Sequence, residues 1–128
     1  MNLLLDTHVL LWAAGQPERL TADAQALLLD PGSQLYFSTV SLWEISIKRS
    51  LGRPDFSADP RRLWRMQLSN GYRELALAGE HTVAVGELPP LHKDPFDRIL
   101  LAQARIEGLE LLTADDKLAA YGEGVRRI

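Results

Sequence analysis

The sequence predicts an α/β fold: a mostly parallel central sheet with helices on both faces. Three observations predict it. Short apolar runs alternate with helical patterns along the whole chain. Two runs, LLL at Leu3–Leu5 and LELLT at Leu109–Thr113, are nearly continuous in apolar character, as strands covered on both sides are. And the 128 residues suit one domain, residues 1–128, long enough to bury a core without crosslinks.

The elements follow in order. Leu3 to Leu5 reads as a strand and Val9 to Ala14 as a helix. Thr21 to Leu29 is helical with Thr21 as its N-cap. Leu35 to Ser38 is a strand, and a helix runs from about Leu42 to Ser50. Leu51 to Pro60, LGRPDFSADP, carries two prolines and a glycine and reads as a long connection. Pro60 to Asn70 is helical, ended by Gly71. Glu74 to Leu77 is a strand and Gly79 to Glu87 a short helix. LPPLHKDP, Leu88 to Pro95, is a second break. Pro95 to Glu107 is a helix closed by Gly108, Leu109 to Thr113 a strand, Asp116 to Tyr121 a short helix and Val125 to Ile128 a last strand.

Composition narrows the function. With no cysteine there are no disulfides, thiolate metal sites or cysteine nucleophiles. A net charge of −3 excludes a globally basic nucleic-acid coat, so any nucleic acid must meet a local basic patch or a metal that masks local acid. The apolar start, MNLLLDTHVLLWAAG, has no Lys or Arg ahead of it and is interrupted by Asp6 and His8, unlike a signal peptide. No run approaches the roughly 20 apolar residues that span a bilayer. The expectation is a soluble, cytoplasmic protein.

In a parallel sheet, ligands bind at the carboxyl ends of the strands. Acids occupy those positions here. Asp6 follows the first strand, Glu44 lies in the first turns of the helix after LYFS, Asp97 opens the helix after the PPLHKD loop, and Asp115 and Asp116 follow LELLT. Each has an ordinary explanation. Asp6 or Thr7 can cap a helix, Ser41-Leu42-Trp43-Glu44 matches the capping box, Asp94 with Pro95 makes a good helix start, and Asp115 can cap the last helix. Capping is the favoured reading for Asp94 and Asp115, and stands level with a functional one for Asp97 and Glu44. The set is harder to dismiss, because carboxylates gathered on one rim repel and raise one another's pKa values. A cation relieves that repulsion, and oxygen-only ligands suit Mg²⁺ or Mn²⁺. Helical spacing places Glu44 at the edge of the Val40–Trp43–Ile47 arc. Asp97 lies beside a face of Phe96, Ile99, Leu100, Gln103 and Ile106, with Arg98 and Arg105 pointing away.

NLLLDTH, STVSLWEISIK, DPFDRILLAQA and LLTADD together resemble the successive motifs of a PIN domain, closest to the VapC-type toxins of bacterial toxin–antitoxin pairs. The resemblance spans essentially the whole chain, in order. It implies a three-layer α/β/α sandwich and a metal-dependent endoribonuclease. It also implies a catalytic set of Asp6, Glu44, Asp97 and Asp115, with Asp6 and Asp97 as the principal Mg²⁺ (or Mn²⁺) ligands. Asp94 has no place in that pattern, and Asp116 stands as an alternative to Asp115. The implied partners are RNA, a cognate antitoxin and a second copy of the chain in a homodimer, with no membrane.

Other residues carry weaker signals. His8 is expected to pack or hydrogen-bond behind the metal site, and His81 and His92 to be loop and surface residues. Thr7, Ser41 and Thr113 either orient acids or cap helices. Lys48, Arg49, Arg53, Arg61, Arg62 and Arg65 read singly as solvated surface and as a group as an attraction for RNA phosphate. Trp43 and Trp64 read as core or interface residues. Leu42 and Ile45, off the buried arc of their helix, suggest a protein interface. Three other readings compete: a catalytically inactive PIN-fold interaction module, a receiver domain and an aspartate-nucleophile phosphatase. The receiver lacks its paired acids after the first strand. The phosphatase lacks its Asp-x-Asp, since Asp6-Thr7-His8 has no second acid.

Overall fold

The computed structural model describes all 128 residues. Five strands, β1 (Asn2–Leu5), β2 (Gln34–Ser38), β3 (Arg73–Leu75), β4 (Glu110–Thr113) and β5 (Val125–Arg127), form one sheet in the order β3-β2-β1-β4-β5. All four pairings are parallel, so each needs a crossover, and helices supply it. They are α1 (Thr7–Gly15), α2 (Ala22–Leu29), α3 (Thr39–Ser50), α4 (Pro60–Ser69), α5 (Gly79–Ala84), α6 (Pro95–Glu107) and α7 (Asp116–Ala119). The expected three-layer α/β/α sandwich is what forms.

The central strand shows why its sequence is continuously apolar. Leu3 and Leu5 enter one core, with Val9, Leu10, Phe37, Ile45, Phe56 and Leu63. Leu4 enters the other, with Val40, Leu100, Leu101, Leu111 and Leu118. Successive side chains of a strand point to opposite faces, and here both faces are covered. The first core lies under α1, α2 and α4, and the second under α5, α6 and α7. Helix α3 serves both, sending Ile45 to one and Val40 to the other.

Four local expectations are corrected. Helix α3 begins at Thr39 with Ser38 as its N-cap, the Ser38 hydroxyl accepting from Val40 N–H at 3.0 Å. Ser41 and Glu44 therefore lie inside the helix and make no capping box. Ile45 is fully buried and so offers no interface, while Leu42 is half-buried against the same core. Trp43 is the exposed large hydrophobic residue of that helix, at 56 %, its ring edge-on to Phe96. The LGRPDFSADP connection is a structured plug: Pro54–Phe56 forms a 3₁₀ turn that drives Phe56 into the core. Finally, Arg98 and Arg105 do not point away. Arg98 donates to the Val85 and Leu88 carbonyls and Arg105 to those of Glu123 and Tyr121, while α6 is buried on every side from Leu100 to Ala104.

Two features place the site. Strand order runs one way from β1 through β2 to β3 and the other way through β4 to β5, so the sheet switches direction between β1 and β4. A crevice opens at the carboxyl ends of the strands at such a point. Helix α6 then aims its first turn at that crevice, with Asp94 as N-cap and Pro95 at the first helical position. It stops cleanly at Gly108, which is left-handed at φ 69°.

Candidate active site

Asp6 is the first residue beyond β1 and the N-cap of α1. Its Oδ1 accepts from Val9 N–H at 2.8 Å, and its Oδ2 accepts from the Thr113 hydroxyl at the end of β4. Only 5 % of the residue is exposed. Burial pushes its carboxyl from 3.8 up to about 6, against the opposing hydrogen bonds from Thr113 and Val9. Capping and function are thus not alternatives here. A cap fixes one oxygen and leaves its remaining lone pairs facing the crevice.

Asp97 stands in the first turn of α6. Asp94 caps that helix, its Oδ1 accepting from Phe96 N–H at 2.8 Å and Asp97 N–H at 3.3 Å. Asp97 is therefore free of capping duty. Burial pushes its carboxyl up to about 7, and the charges of Asp94, Asp6 and Glu44 push the same way. Asp6 and Glu44 are thus both within electrostatic reach of Asp97.

Glu44 is 2 % exposed. Its Oε2 accepts from Lys48 Nζ at 2.5 Å, one helical turn on, while its buried Oε1 has no hydrogen-bond partner. Asp115 caps α7 with Oδ1, at 2.7 Å from Lys117 N, and keeps Oδ2 for the crevice. Asp116, the alternative fourth acid, points outward: its side chain is 82 % exposed and pairs with Arg127.

The sequence reading missed two members of this group. His92 is no surface residue. Its Nδ1 accepts from Asp94 N–H at 3.4 Å, which leaves the ring proton on Nε2 in the neutral form. That nitrogen lies 2.9 Å from Asp97 Oδ2 and 3.2 Å from Asp115 Oδ2. The His92, Asp97 and Asp115 ligand atoms all fall within 4.8 Å of one another. The loop that carries His92 is pinned by Tyr121, whose hydroxyl accepts from His92 N–H and donates to the Pro89 carbonyl. The signal in the sequence was the proline-stiffened LPPLHKDP run, too rigid for an idle loop. Lys48 was grouped with the surface cations, although its Glu44…Lys48 spacing is that of a helical ion pair.

The hydroxyl residues resolve differently from one another. Thr113 bonds Asp6 and also accepts from Asp115 N–H at 3.0 Å, so one hydroxyl sets two of the acids. Thr7 donates to Ser41 at 3.0 Å, joining α1 to α3 and touching neither acid. His8 does not lie behind the site. Its side chain is 45 % exposed on the rim, 3.2 Å from Asp55. That contact holds the Asp55 carboxyl below its ordinary range. His81 is 1 % exposed and far from a surface role, accepting from Ala78 N–H at the start of α5. Of the cations, Arg49 pairs with Asp59 at 4.0 Å, and Arg61, Arg62 and Arg65 share an open depression with that same acid. Trp64 donates to Glu74.

A cleft of about 280 Å³ opens onto two of the four acids, lined by Asp6, His8, Trp12, Arg19, Asp55 and Asp115. A larger cavity of about 370 Å³, lined by Leu20, Leu28, Leu35 and Tyr72 among others, holds no carboxylate. Size is therefore a poorer guide than chemistry here. Buried carboxylates, an unpartnered carboxylate oxygen and one imidazole make a donor set that would suit a hard cation.

Known proteins carry the same architecture. A model of the PIN domain matches residues 3–124. A curated relative, Ribonuclease VapC22 of Mycobacterium tuberculosis, is 28 % identical over 121 residues, 94 % of this chain and 92 % of that protein. The structure of VapBC2 from Rickettsia felis bound to a DNA fragment from its promoter superposes with a TM-score of 0.72 at 17 % identity, covering 99 % of this chain and 98 % of that one. A toxin–antitoxin complex from Klebsiella pneumoniae gives 0.63 at 25 % identity, with 98 % of each chain covered. The family model runs over nearly the whole sequence and takes in Asp6, Glu44, Asp97 and Asp115, so this chain belongs to the PIN domain family.

Proposed function

We propose that the protein is a metal-dependent endoribonuclease, the toxin of a toxin–antitoxin pair, which hydrolyses RNA phosphodiester bonds at the Asp6–Glu44–Asp97–Asp115 rim. The observation that carries the reading is the crowding itself. Burial holds Asp6 at about 6, with the charge of Asp115 pushing the same way, and holds Asp97 at about 7, with the charges of Asp94, Asp6 and Glu44 pushing the same way. A fold that needed only helix caps has no use for that repulsion.

The donor set fits Mg²⁺ or Mn²⁺, with Asp6 and Asp97 as principal ligands and Asp115 completing the rim. When bound, such an ion neutralises phosphodiester oxygens and makes water a stronger nucleophile near neutral pH. The protein's own residues do the rest. Thr113 fixes Asp6 and Asp115 through one hydroxyl. Asp94 starts α6 so that Asp97 faces the rim, and His92 holds the Asp97 and Asp115 carboxylates toward each other. Water then adds across a P–O bond and the leaving oxygen departs in line. The relatives' names support RNA as substrate and an antitoxin as partner. A homodimer and a cytoplasmic location belong to the same reading, and no helix of the chain is long and apolar enough to cross a membrane.

End-labelled total RNA, incubated with Mg²⁺, Mn²⁺ or EDTA, tests this. Cleavage is expected only with metal, and an Asp97→Asn variant purified identically should lose about a thousandfold or more. Equal cleavage by the variant would mean that the site is wrongly placed. Absence of cleavage from every arm, across a panel that includes structured RNAs, would leave a PIN fold acting as an interaction module.

A further inference from the structure

Lys48 is held in a way that its pairing with Glu44 does not account for. An exposed lysine one turn after a glutamate is an ordinary surface pair. This one is 16 % exposed, and its partner carboxylate 2 %. Its ammonium lies 4.8 Å from the centre of the Phe56 ring and 5.4 Å from that of Phe96. Those residues come from different elements: Phe56 from the 3₁₀ plug after α3, Phe96 from the first turn of α6, next to Asp97. An ammonium has three donors. Glu44 Oε2 takes one, and no other protein acceptor meets the remaining two.

Neutralising Glu44 would need neither ring. Two aromatic faces hold the cation at a fixed point, hold water off it and leave its charge unscreened. The fixed point is on the acidic rim, since Lys48 bonds Glu44 and lies against the ring of Phe96, the residue before Asp97. Nothing else on the rim is a permanent cation held this way. Arg19 lies over Trp12 at the outer end of the cleft.

We propose that Lys48 is a catalytic residue, whose ammonium contacts a non-bridging oxygen of the phosphodiester being hydrolysed. Glu44 is then the residue that aims it. The contact moves no proton and forms no bond. It adds positive charge where negative charge accumulates on the phosphoryl oxygens as the P–O bond breaks. This rests on the nuclease reading and assigns a role that the four acids do not fill.

The test must separate contact with phosphate from neutralisation of Glu44. Lys48→Met alone cannot, because it strands a buried carboxylate and can unfold the chain. The comparison is therefore Glu44→Gln against Glu44→Gln with Lys48→Met, where neither variant strands a buried carboxylate. Turnover of the RNA that the wild type cleaves is measured for both. Binding of a fluorescent single-stranded RNA of random sequence is measured against salt with Asp97→Asn added to both, so that nothing is cut. If Lys48 touches phosphate, its removal lowers kcat/KM about a hundredfold in the Glu44→Gln background. It also flattens the slope of log affinity against log salt by about 0.7. Where Glu44→Gln leaves too little turnover to compare, the slope decides. Equal slopes, with equal turnover wherever it can be read, would make Lys48 a mere counter-ion and overturn the proposal. A wild type that cleaves no RNA with metal would instead remove the nuclease reading, and the proposal with it.

Discussion

The molecule contains two groupings of one histidine with two carboxylates, each with its ligand atoms within 4.8 Å of one another: His92, Asp97 and Asp115 on the rim, and Glu80, His81 and Glu107 between α5 and α6. By composition they are nearly the same site. Their surroundings make them different. His81 is buried and fully used. Its Nδ1 accepts the Ala78 N–H that opens α5, so its proton sits on Nε2 and is given to Glu107 at 3.0 Å. Glu80 and Glu107 are exposed, and water solvates what the histidine does not. At the rim all three members are half-buried, the further acids Asp94, Asp6 and Glu44 act on Asp97, and the single imidazole cannot satisfy all of that charge. The difference teaches that a cation site is recognised by unrelieved carboxylate charge, and not by which residue types meet.

Calorimetric titration with Mn²⁺ is the hardest test of that comparison. Binding should be saturable in the wild type and in Glu107→Gln, and should disappear in Asp97→Asn. Binding that survives Asp97→Asn but is lost in Glu107→Gln would exchange the two groupings. Within the rim, His92→Ala should weaken Mn²⁺ by about 10- to 100-fold, the usual cost of losing a group that orients metal ligands.

The pH dependence of stability is a smaller effect with a definite sign. Asp6 and Asp97 hold protons in the folded chain up to about pH 6 and about pH 7, against 3.8 for an ordinary aspartate. Below pH 4 both states are protonated and burial of the carboxyls carries no charge penalty. As pH rises through 4 to 7 the unfolded chain ionises first, and stability is lost by about 1.4 kcal/mol per pH unit for each group still protonated in the fold. Without metal, Tm should fall by roughly 15 °C between pH 5 and pH 8. Saturating Mn²⁺ should remove most of that fall. A metal-free Tm that is flat or rises over this interval would mean that the two carboxylates are better solvated than their burial implies.

The sequence carried the architecture well, and for a physical reason. Leu3–Leu5 can be continuously apolar only if both faces of β1 are covered, and Asp94-Pro95 with Gly108 bounds α6 by local chemistry alone. Asp6, Asp97 and Asp115 were legible because each sits at or within two residues of an element boundary, whereas Glu44 lies more than a turn inside α3. What escaped was set by packing between distant segments. Ser41 looked like a cap until Ser38 proved to start the helix. Ile45 looked exposed on a helical wheel because α3 feeds two cores instead of one. His92 and His81 sit in runs with no periodicity, and their burial depends on Tyr121 and on α6, which no local pattern announces.

His81 sharpens the comparison from the other side. If that grouping is architectural, His81→Ala should act on the fold alone. The substitution opens a cavity, removes the acceptor for Ala78 N–H and frees Glu107. A cap costs about 0.5–2 kcal/mol and a buried unsatisfied donor about 1–3 kcal/mol, and the two overlap here because one nitrogen serves both. A loss of about 2 kcal/mol, or a Tm lower by roughly 8 °C, is expected, with Mn²⁺ affinity and cleavage unchanged below the new transition. The two carboxylates are exposed enough to remain solvated without the ring, so their charge adds little. A variant with wild-type Tm and impaired Mn²⁺ binding would show that the pair on α5 and α6 reaches the rim after all. The charge-relief criterion would then be too strict.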